Sequence, residues 1–254
     1  MSARTFVVGD IHGDLEALTR LLDKLPTFTT DDTLVFLGDY VDRGPHPKGV
    51  VDLIRGLSAT TPAKVVCLRG NHEDEWCQSY ESPHAPFLVQ VANGCAATFR
   101  SFSGGKPLES DEETIHVDEY PRMLDVASWF PADVVEWMKA LPLWHEDDHG
   151  IYVHAGLQKD GAGGWKHPRD CDPQSLLWMR EPSFYEGYEG KRLVFGHTLV
   201  KELPLGHLGT FKKLFDDPND VWVRGQLIGL DTGAGKGGFL SAVELPSMKV
   251  YESR

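Results

Sequence analysis

Again and again in this chain a short apolar run ends in a glycine beside a carboxylate, an amide or an imidazole. The runs deliver GDIHG (9–13), GDYVDRG (38–44), RGNHE (69–73), VHAG (153–156), FGHT (195–198) and LDTG (230–233). A buried strand that stops on polar, turn-forming residues places their side chains at one edge of its sheet. In open α/β sheets such edges converge on a crevice, and ligands bind there. The pattern predicts that Asp10, His12, Asp39, Asn71, His154 and His197 share one cavity.

The segments between these ends set the fold class. DLEALTRLLDKL carries Leu15, Leu18, Leu22 and Leu25 at helical spacing, with Asp14 placed as an N-cap, and PKGVVDLIRGL repeats the amphipathic pattern. With strands at residues 4–8, TLVFLGD and AKVVCLRG, the front of the chain reads strand–helix–strand–helix–strand, hence a parallel sheet with helices on its faces. Residues 73–141 read as mostly helical, including PADVVEWMKAL, and are interrupted by SGGKPLESDEET, an expected exposed loop. From LPLWHEDDHGIYVHAG onward the texture is strand and turn, with a second exposed loop at 158–172. The expectation is one domain over residues 1–254, α/β at the front and more purely β at the back.

Oxygen and imidazole ligands without thiolates suit Mn²⁺, Fe²⁺ or Zn²⁺. Six such residues exceed one tetrahedral site, so a pair of ions sharing a bridging carboxylate fits better. Two adjacent divalent ions have a known use in phosphoester hydrolysis, where they activate water and hold it in line with phosphorus. The chain must then neutralise the phosphoryl oxygens and protonate the leaving group. Arg43, four residues after Asp39, suits the first task. His72, beside Asn71, suits the second, with Asp42 holding its imidazole protonated.

On these residues the chain resembles the phosphoprotein phosphatase (PPP) family of metallophosphoesterases, in its short bacterial and phage Ser/Thr form. GDIHG, GDYVDRG and RGNHE match that family's GDxHG, GDxVDRG and GNHE in order, and HAG, GHT and DTGAGKGG resemble its later landmarks, so the likeness spans residues 5–240. The resemblance implies an α/β metallophosphoesterase fold, a central β-sandwich flanked by helices. It places Asp10 and His12 on one metal, Asp39 between the two, and Asn71, His154 and His197 on the second. It also makes His72 the acid, Asp42 its partner and Arg43 a phosphate ligand, and LLWMREP places a second phosphate-binding arginine at Arg180. The implied activity is hydrolysis of phosphoserine and phosphothreonine, with phosphotyrosine as a side substrate, by direct attack of a metal-bridging water. Manganese is the expected metal in vitro, with iron or zinc as substitutes. The alternative is a symmetrical dinucleoside tetraphosphate hydrolase, against which stand the DRG of GDYVDRG and the Glu of GNHE; a lapsed phosphoprotein-binding module is a further rival.

Composition bounds the partners. A formal charge of −13 argues against a nucleic-acid backbone or an anionic membrane as the main partner, and does not favour an anionic substrate either. Phosphoprotein substrates are what the resemblance implies, with a monomer expected. The longer C-terminal segment of eukaryotic family members is missing, which leaves regulatory subunits unassigned. No apolar stretch approaches ~20 residues and no signal-type h-region opens the chain, so the cytoplasm is expected. Cys67, Cys77, Cys95 and Cys171 lack CxxC spacing and are expected to be free, Cys67 within a strand.

Other features take bland readings. GAGKGG (233–238) satisfies GxGxxG, but a strand follows instead of a helix, and it fails as a Walker A motif at Leu230 and Gly237. HEDDH (145–149) reads as a solvated hairpin turn instead of a metal site. His46, His84, His116, His167 and His207 fall outside the motifs, with surface or hydrogen-bonding roles expected.

Overall fold

The computed structural model describes residues 3–107, 115–204, 217 and 219–254. Its opening elements, β1 (Thr5–Val8), α1 (Leu15–Lys24), β2 (Thr33–Phe36), α2 (Pro47–Thr60) and β3 (Lys64–Cys67), follow the alternation read from the sequence. β1 pairs in parallel with β2, and β2 with β3. Asp14 caps α1, its Oδ1 accepting from the Ala17 N–H at 2.9 Å, while Ala17, Leu18 and Leu21 face the core. Pro47 opens α2, where its fixed φ and missing N–H cost nothing.

The helical middle comprises α3 (Asn71–Glu81), α4 (Ala85–Leu88), α5 (Cys95–Ser103), α6 (Tyr120–Leu124) and α7 (Ala132–Ala140), joined by short 3-10 turns. Trp76, Phe99 and Phe130 pack these helices into one apolar cluster with Phe6, Val8 and Leu34 of the first sheet. Residues 108–114 of the acidic loop, and His207, lie outside the described residues.

A second sheet follows, from β4 (Trp144–Glu146), β5 (Ile151–Val153), β6 (Leu193–Phe195), β7 (Trp222–Arg224) and β8 (Leu227–Gly229), in the order β4-β5-β6-β8-β7. Here the expectation of a more purely β rear half is corrected. β5, β6 and β8 are parallel neighbours, and parallel strands cannot be joined by a tight turn. α8 (Pro173–Trp178) and α9 (Pro182–Gly187) supply the β5-to-β6 crossover. The last two strands, β9 (Ser241–Leu245) and β10 (Lys249–Glu252), return to the first sheet, giving β10-β9-β1-β2-β3.

The two sheets close on a shared layer of Val7, Val35, Leu37, Tyr152, Val194 and Ile228. Alternate residues of β1 serve this layer and the helix-covered face, so all four are buried. The result is an α/β sandwich of two mixed sheets flanked by helices. HEDDH ends β4, where His145 and Glu146 pair with Tyr152 and Ile151, and continues into the turn of the β4–β5 hairpin. Asp147 there accepts from Thr5 Oγ1 at 2.6 Å and from Tyr152 Oη at 2.8 Å, tying the hairpin to the start of β1. GAGKGG is a turn between β8 and β9, as its sequence implies. All four cysteines are free.

Candidate metal centre

The carboxyl ends of β1, β2, β3, β5, β6 and β8 meet along one edge of the sandwich, and the side chains they deliver are buried together. Asp10, His12, Asp39, Asn71, His154 and His197 are each at most 3% exposed. The backbone that presents them is unusual. His12, Asp39, Asp42, Arg43 and His197 adopt positive φ, between 46° and 70°. Residues with side chains rarely hold this left-handed region, and such strain gathers at functional sites. Close packing enforces it: a Cβ at Gly70 would lie 2.2 Å from Asp39 Oδ1, and one at Gly196 1.9 Å from Asp10 Oδ1.

Two groupings of ligand atoms emerge. One joins His12, Asp39 and His72; the other joins Asp39, His154 and His197, with all ligand atoms in each group within 4.8 Å of one another. Asp39 belongs to both. Its Oδ2 lies 3.4 Å from His12 Nε2 and 3.9 Å from His72 Nε2, while its Oδ1 lies 3.5 Å from His154 Nε2. One carboxylate thus turns one oxygen to each group. Asn71 Oδ1 joins the second, 2.9 Å from both His154 Nε2 and His197 Nδ1.

Backbone carbonyls fix the tautomers. His12 Nδ1–H donates to the Val41 carbonyl at 3.1 Å, and His154 Nδ1–H to the Leu37 carbonyl at 3.0 Å. Both rings therefore turn an Nε2 lone pair inward, the arrangement that outer partners impose on ligating histidines. Burial holds both imidazoles below the ordinary histidine value, His12 far below, so each is neutral near pH 7. His154 Nε2 and Asn71 Oδ1 then face each other as two acceptors with no proton between them.

The buried charge is equally one-sided. Asp10 Oδ2 accepts from the His197 N–H at 2.8 Å, but its Oδ1 has no hydrogen-bond partner among the described residues. Burial, joined by the charges of Asp231 and Asp39, drives the Asp10 carboxyl well above the usual carboxylate range. Orphaned carboxylate oxygen, opposed acceptors and clustered acids share one remedy, a bound cation. The oxygen and nitrogen donors fit divalent ions of the manganese, iron and zinc type.

The remaining predicted residues surround this centre. His72 Nδ1 lies 2.6 Å from Asp42 Oδ2, and Trp76 Nε1, Thr98 Oγ1 and Cys95 Sγ also donate to the Asp42 carboxylate. Arg43 reaches His12 Nε2, and Arg180 donates from Nε to His197 Nε2 at 3.0 Å and from Nη2 to the His197 carbonyl at 3.1 Å. Both guanidinium groups also line a cavity of about 460 Å³, a common size for a ligand site. Leu88, Val91, Ile115, Tyr120 and Met123 add apolar lining to it, beside the polar Gln90 and Glu202.

Sequence reasoning missed the roles of two groups. Glu73 is fully buried and accepts from the N–H groups of Asp39, Tyr40 and Gly70 at 2.8 to 2.9 Å, clamping the loop that carries Asp39. Burial and the Asp39 charge push its carboxyl up to about 8, against the pull of those donors. Lys236 lines the cavity and pairs with buried Asp231 at 3.1 Å. A lysine inside a glycine-rich turn gave no periodic signal that could have found it.

The family model for calcineurin-like phosphoesterases matches residues 3–225. The chain belongs to that family. As a calcineurin-like phosphoesterase it is a metallophosphoesterase, of a family that uses divalent metals. A symmetrical bis(5'-nucleosyl)-tetraphosphatase of Nitrosospira multiformis is 25% identical over 98% of this chain and 94% of its own. An asymmetrical bis(5'-nucleosyl)-tetraphosphatase of Anoxybacillus flavithermus is 26% identical over 96% and 91% respectively. Among solved structures, a putative diadenosine tetraphosphatase superposes with a TM-score of 0.61 at 21% identity, covering 99% of this chain and 93% of the other. A protein serine/threonine phosphatase of Saccharomyces cerevisiae superposes with a TM-score of 0.51 at 18% identity, over 95% and 73%. These structural likenesses speak to the fold. Among the described residues no helix is long and apolar enough to cross a membrane.

Proposed function

We propose that this phosphoesterase hydrolyses dinucleoside polyphosphates, a reaction class that includes the symmetrical tetraphosphate hydrolysis expected from the sequence as the alternative to a phosphoprotein phosphatase. The observation that carries it is the cavity. It joins two kinds of surface, the guanidinium groups of Arg43 and Arg180, which reach His12 and His197, and the apolar side chains of Leu88, Val91, Tyr120 and Met123. A phosphoryl group needs the first surface alone. A nucleotide uses both, the phosphates on the guanidinium groups and the base on the apolar side chains. Relatives named as tetraphosphatases match over nearly the whole chain and agree with this reading.

The two motifs that counted against it lose their force. Among the described residues Glu73 binds only backbone N–H groups around Asp39, and it is fully buried, so it has no access to substrate. Arg43 beside the cavity suits any phosphoryl group.

The residues that would hold the metals are Asp10, His12, Asp39, Asn71, His154 and His197, with Asp39 shared. Divalent ions held there would supply a water that is nucleophilic near neutrality and would polarise the phosphoryl oxygen. Arg43 and Arg180 orient the phosphoryl group and take up the charge that grows on its oxygens. Water adds to one phosphorus, its P–O–P bond breaks, and the departing phosphate carries away the bonding pair. His72 Nε2, pointing away from Asp42, delivers a proton to that oxygen.

Incubation of the Mn²⁺-loaded protein with diadenosine tetraphosphate, followed by chromatographic separation of the nucleotides, tests the reading. Two ADP, or ATP with AMP, are the expected products. Intact substrate alongside rapid phosphate release from a phosphoserine peptide would overturn it and restore the phosphoprotein reading.

A further inference from the structure

The glycine-rich turn after β8 connects two strands, and its backbone is built for that. Gly233, Gly235 and Gly237 all hold positive φ, and the Lys236 and Gly238 N–H groups donate to the Gly233 carbonyl at 3.0 and 2.9 Å. The turn packs tightly on the metal centre: a Cβ at Gly235 would lie 2.2 Å from the His12 carbonyl oxygen. One charged side chain, Lys236, projects from it into the cavity shared with Arg43 and Arg180.

Asp231 fixes that ammonium. Its carboxylate is fully buried, with Oδ1 accepting from the Gly233 N–H at 3.1 Å and Oδ2 3.1 Å from Lys236 Nζ. Lys236 itself keeps 19% of its side chain exposed, and it lines both this cavity and a neighbouring one that Asp231 also lines. An ammonium has three donors, and one suffices for Asp231. Lys236 also acts electrostatically on Asp10 and His12, so its charge reaches the centre. A single phosphoryl group is already served by two guanidinium groups; a third cation suits a longer anion.

We propose that Lys236, held in place by Asp231, binds the phosphates next to the one being cleaved and so makes the site selective for phosphate chains over single phosphate esters. This rests on the dinucleotide reading, from which it can be separated experimentally. The rival role is local: Lys236 neutralises Asp231 and nothing more.

The test compares wild type with Lys236→Gln and Lys236→Arg, all loaded with Mn²⁺. The quantity read is the kcat/KM for diadenosine tetraphosphate divided by that for p-nitrophenyl phosphate. Removing one charge-assisted hydrogen bond should lower this ratio about tenfold in Lys236→Gln, chiefly through the KM of the dinucleotide. Lys236→Arg should recover most of it. A purely local role would lower both activities in proportion, and that result overturns the proposal.

If wild type leaves the dinucleotide intact, the function above fails by itself. The proposal is then read from inhibition of p-nitrophenyl phosphate turnover by inorganic tripolyphosphate and by orthophosphate. Weaker inhibition by tripolyphosphate alone in Lys236→Gln supports it; an equal change in both, or none, overturns it.

Discussion

Asp42 stands behind His72, its Oδ2 2.6 Å from the ring Nδ1, and turns the other nitrogen toward Asp39 and the metal centre. Trp76, Thr98 and Cys95 donate to the same carboxylate, so Asp42 is a fixed acceptor and His72 has one orientation. This geometry suits the proton-donor role proposed for His72, and the worth of such a donor depends on the leaving group. A serine alkoxide is a strong base that needs a proton as it departs; a nucleoside diphosphate is a weak one.

His72→Asn should therefore discriminate between substrates. A fall in kcat of about 10²- to 10⁴-fold is expected for a phosphoserine peptide, the range for losing general acid catalysis. The fall for diadenosine tetraphosphate should be smaller. Steady-state kinetics on both substrates, with circular dichroism to verify folding, provides the check. Equal losses would remove the proton-donor role from His72.

Metal removal should cost stability as well as activity, because buried Asp10, Asp39 and Asp231 lie near one another. Free Mn²⁺ at a hundredfold its Kd should add about 2.7 kcal/mol per site. Thermal melts with chelator and with Mn²⁺ measure the shift. Elemental analysis should find that Asp39→Ala loses both ions, since its two oxygens serve both groups.

Gly196→Ala is expected to disable the centre without unfolding the sandwich. The added methyl group would sit 1.9 Å from Asp10 Oδ1 and force that carboxylate aside. Metal content should drop while the far-ultraviolet circular dichroism spectrum is kept. A fully loaded, active variant would show that Asp10 is no ligand.

Glu73→Gln should lower unfolding free energy by about 1–3 kcal/mol, the usual cost of leaving buried N–H groups poorly satisfied. The ratio of activities on dinucleotide and phosphopeptide should stay at its wild-type value. Urea titration gives the first quantity and paired assays the second.

Asp147 sets an acid-side dependence. Burial alone would raise its carboxyl, but hydrogen bonds from Thr5, Tyr152 and the His149 and Gly150 N–H groups outweigh it and hold it below the usual value. A depressed folded value gives stability that is complete above the unfolded value of about 3.9 and is lost as pH falls through the folded one. Asp147→Asn should therefore melt lower than wild type at neutral pH, with the gap closing below about pH 4. Melts across that range test the sign.

Much of this is legible in the sequence. Apolar runs ending on Asp10, Asp39, Asn71, His154 and His197 mark both the strands and their shared edge, because a strand end leaves few places for its side chains to go. The rear sheet reads as plain β because α8 and α9 hold only six residues each, too few to show helical periodicity. Lys236 and the apolar lining from α4 and α6 stay hidden for another reason. They reach the cavity through loops and short helices, which leave no repeat in the sequence. Glu73 is legible as part of a motif, but only its hydrogen bonds to the loop around Asp39 reveal that it supports the fold and does not read the substrate.

Substrate preference is the decisive quantity. The kcat/KM of the Mn²⁺-loaded protein should be measured for diadenosine tetraphosphate and for a phosphoserine peptide under one condition, with Asp10→Asn as control. A clear preference for the dinucleotide, abolished in the control, is the predicted result. A clear preference for the peptide would contradict it, leaving the metal centre in place and assigning the cavity to phosphoproteins.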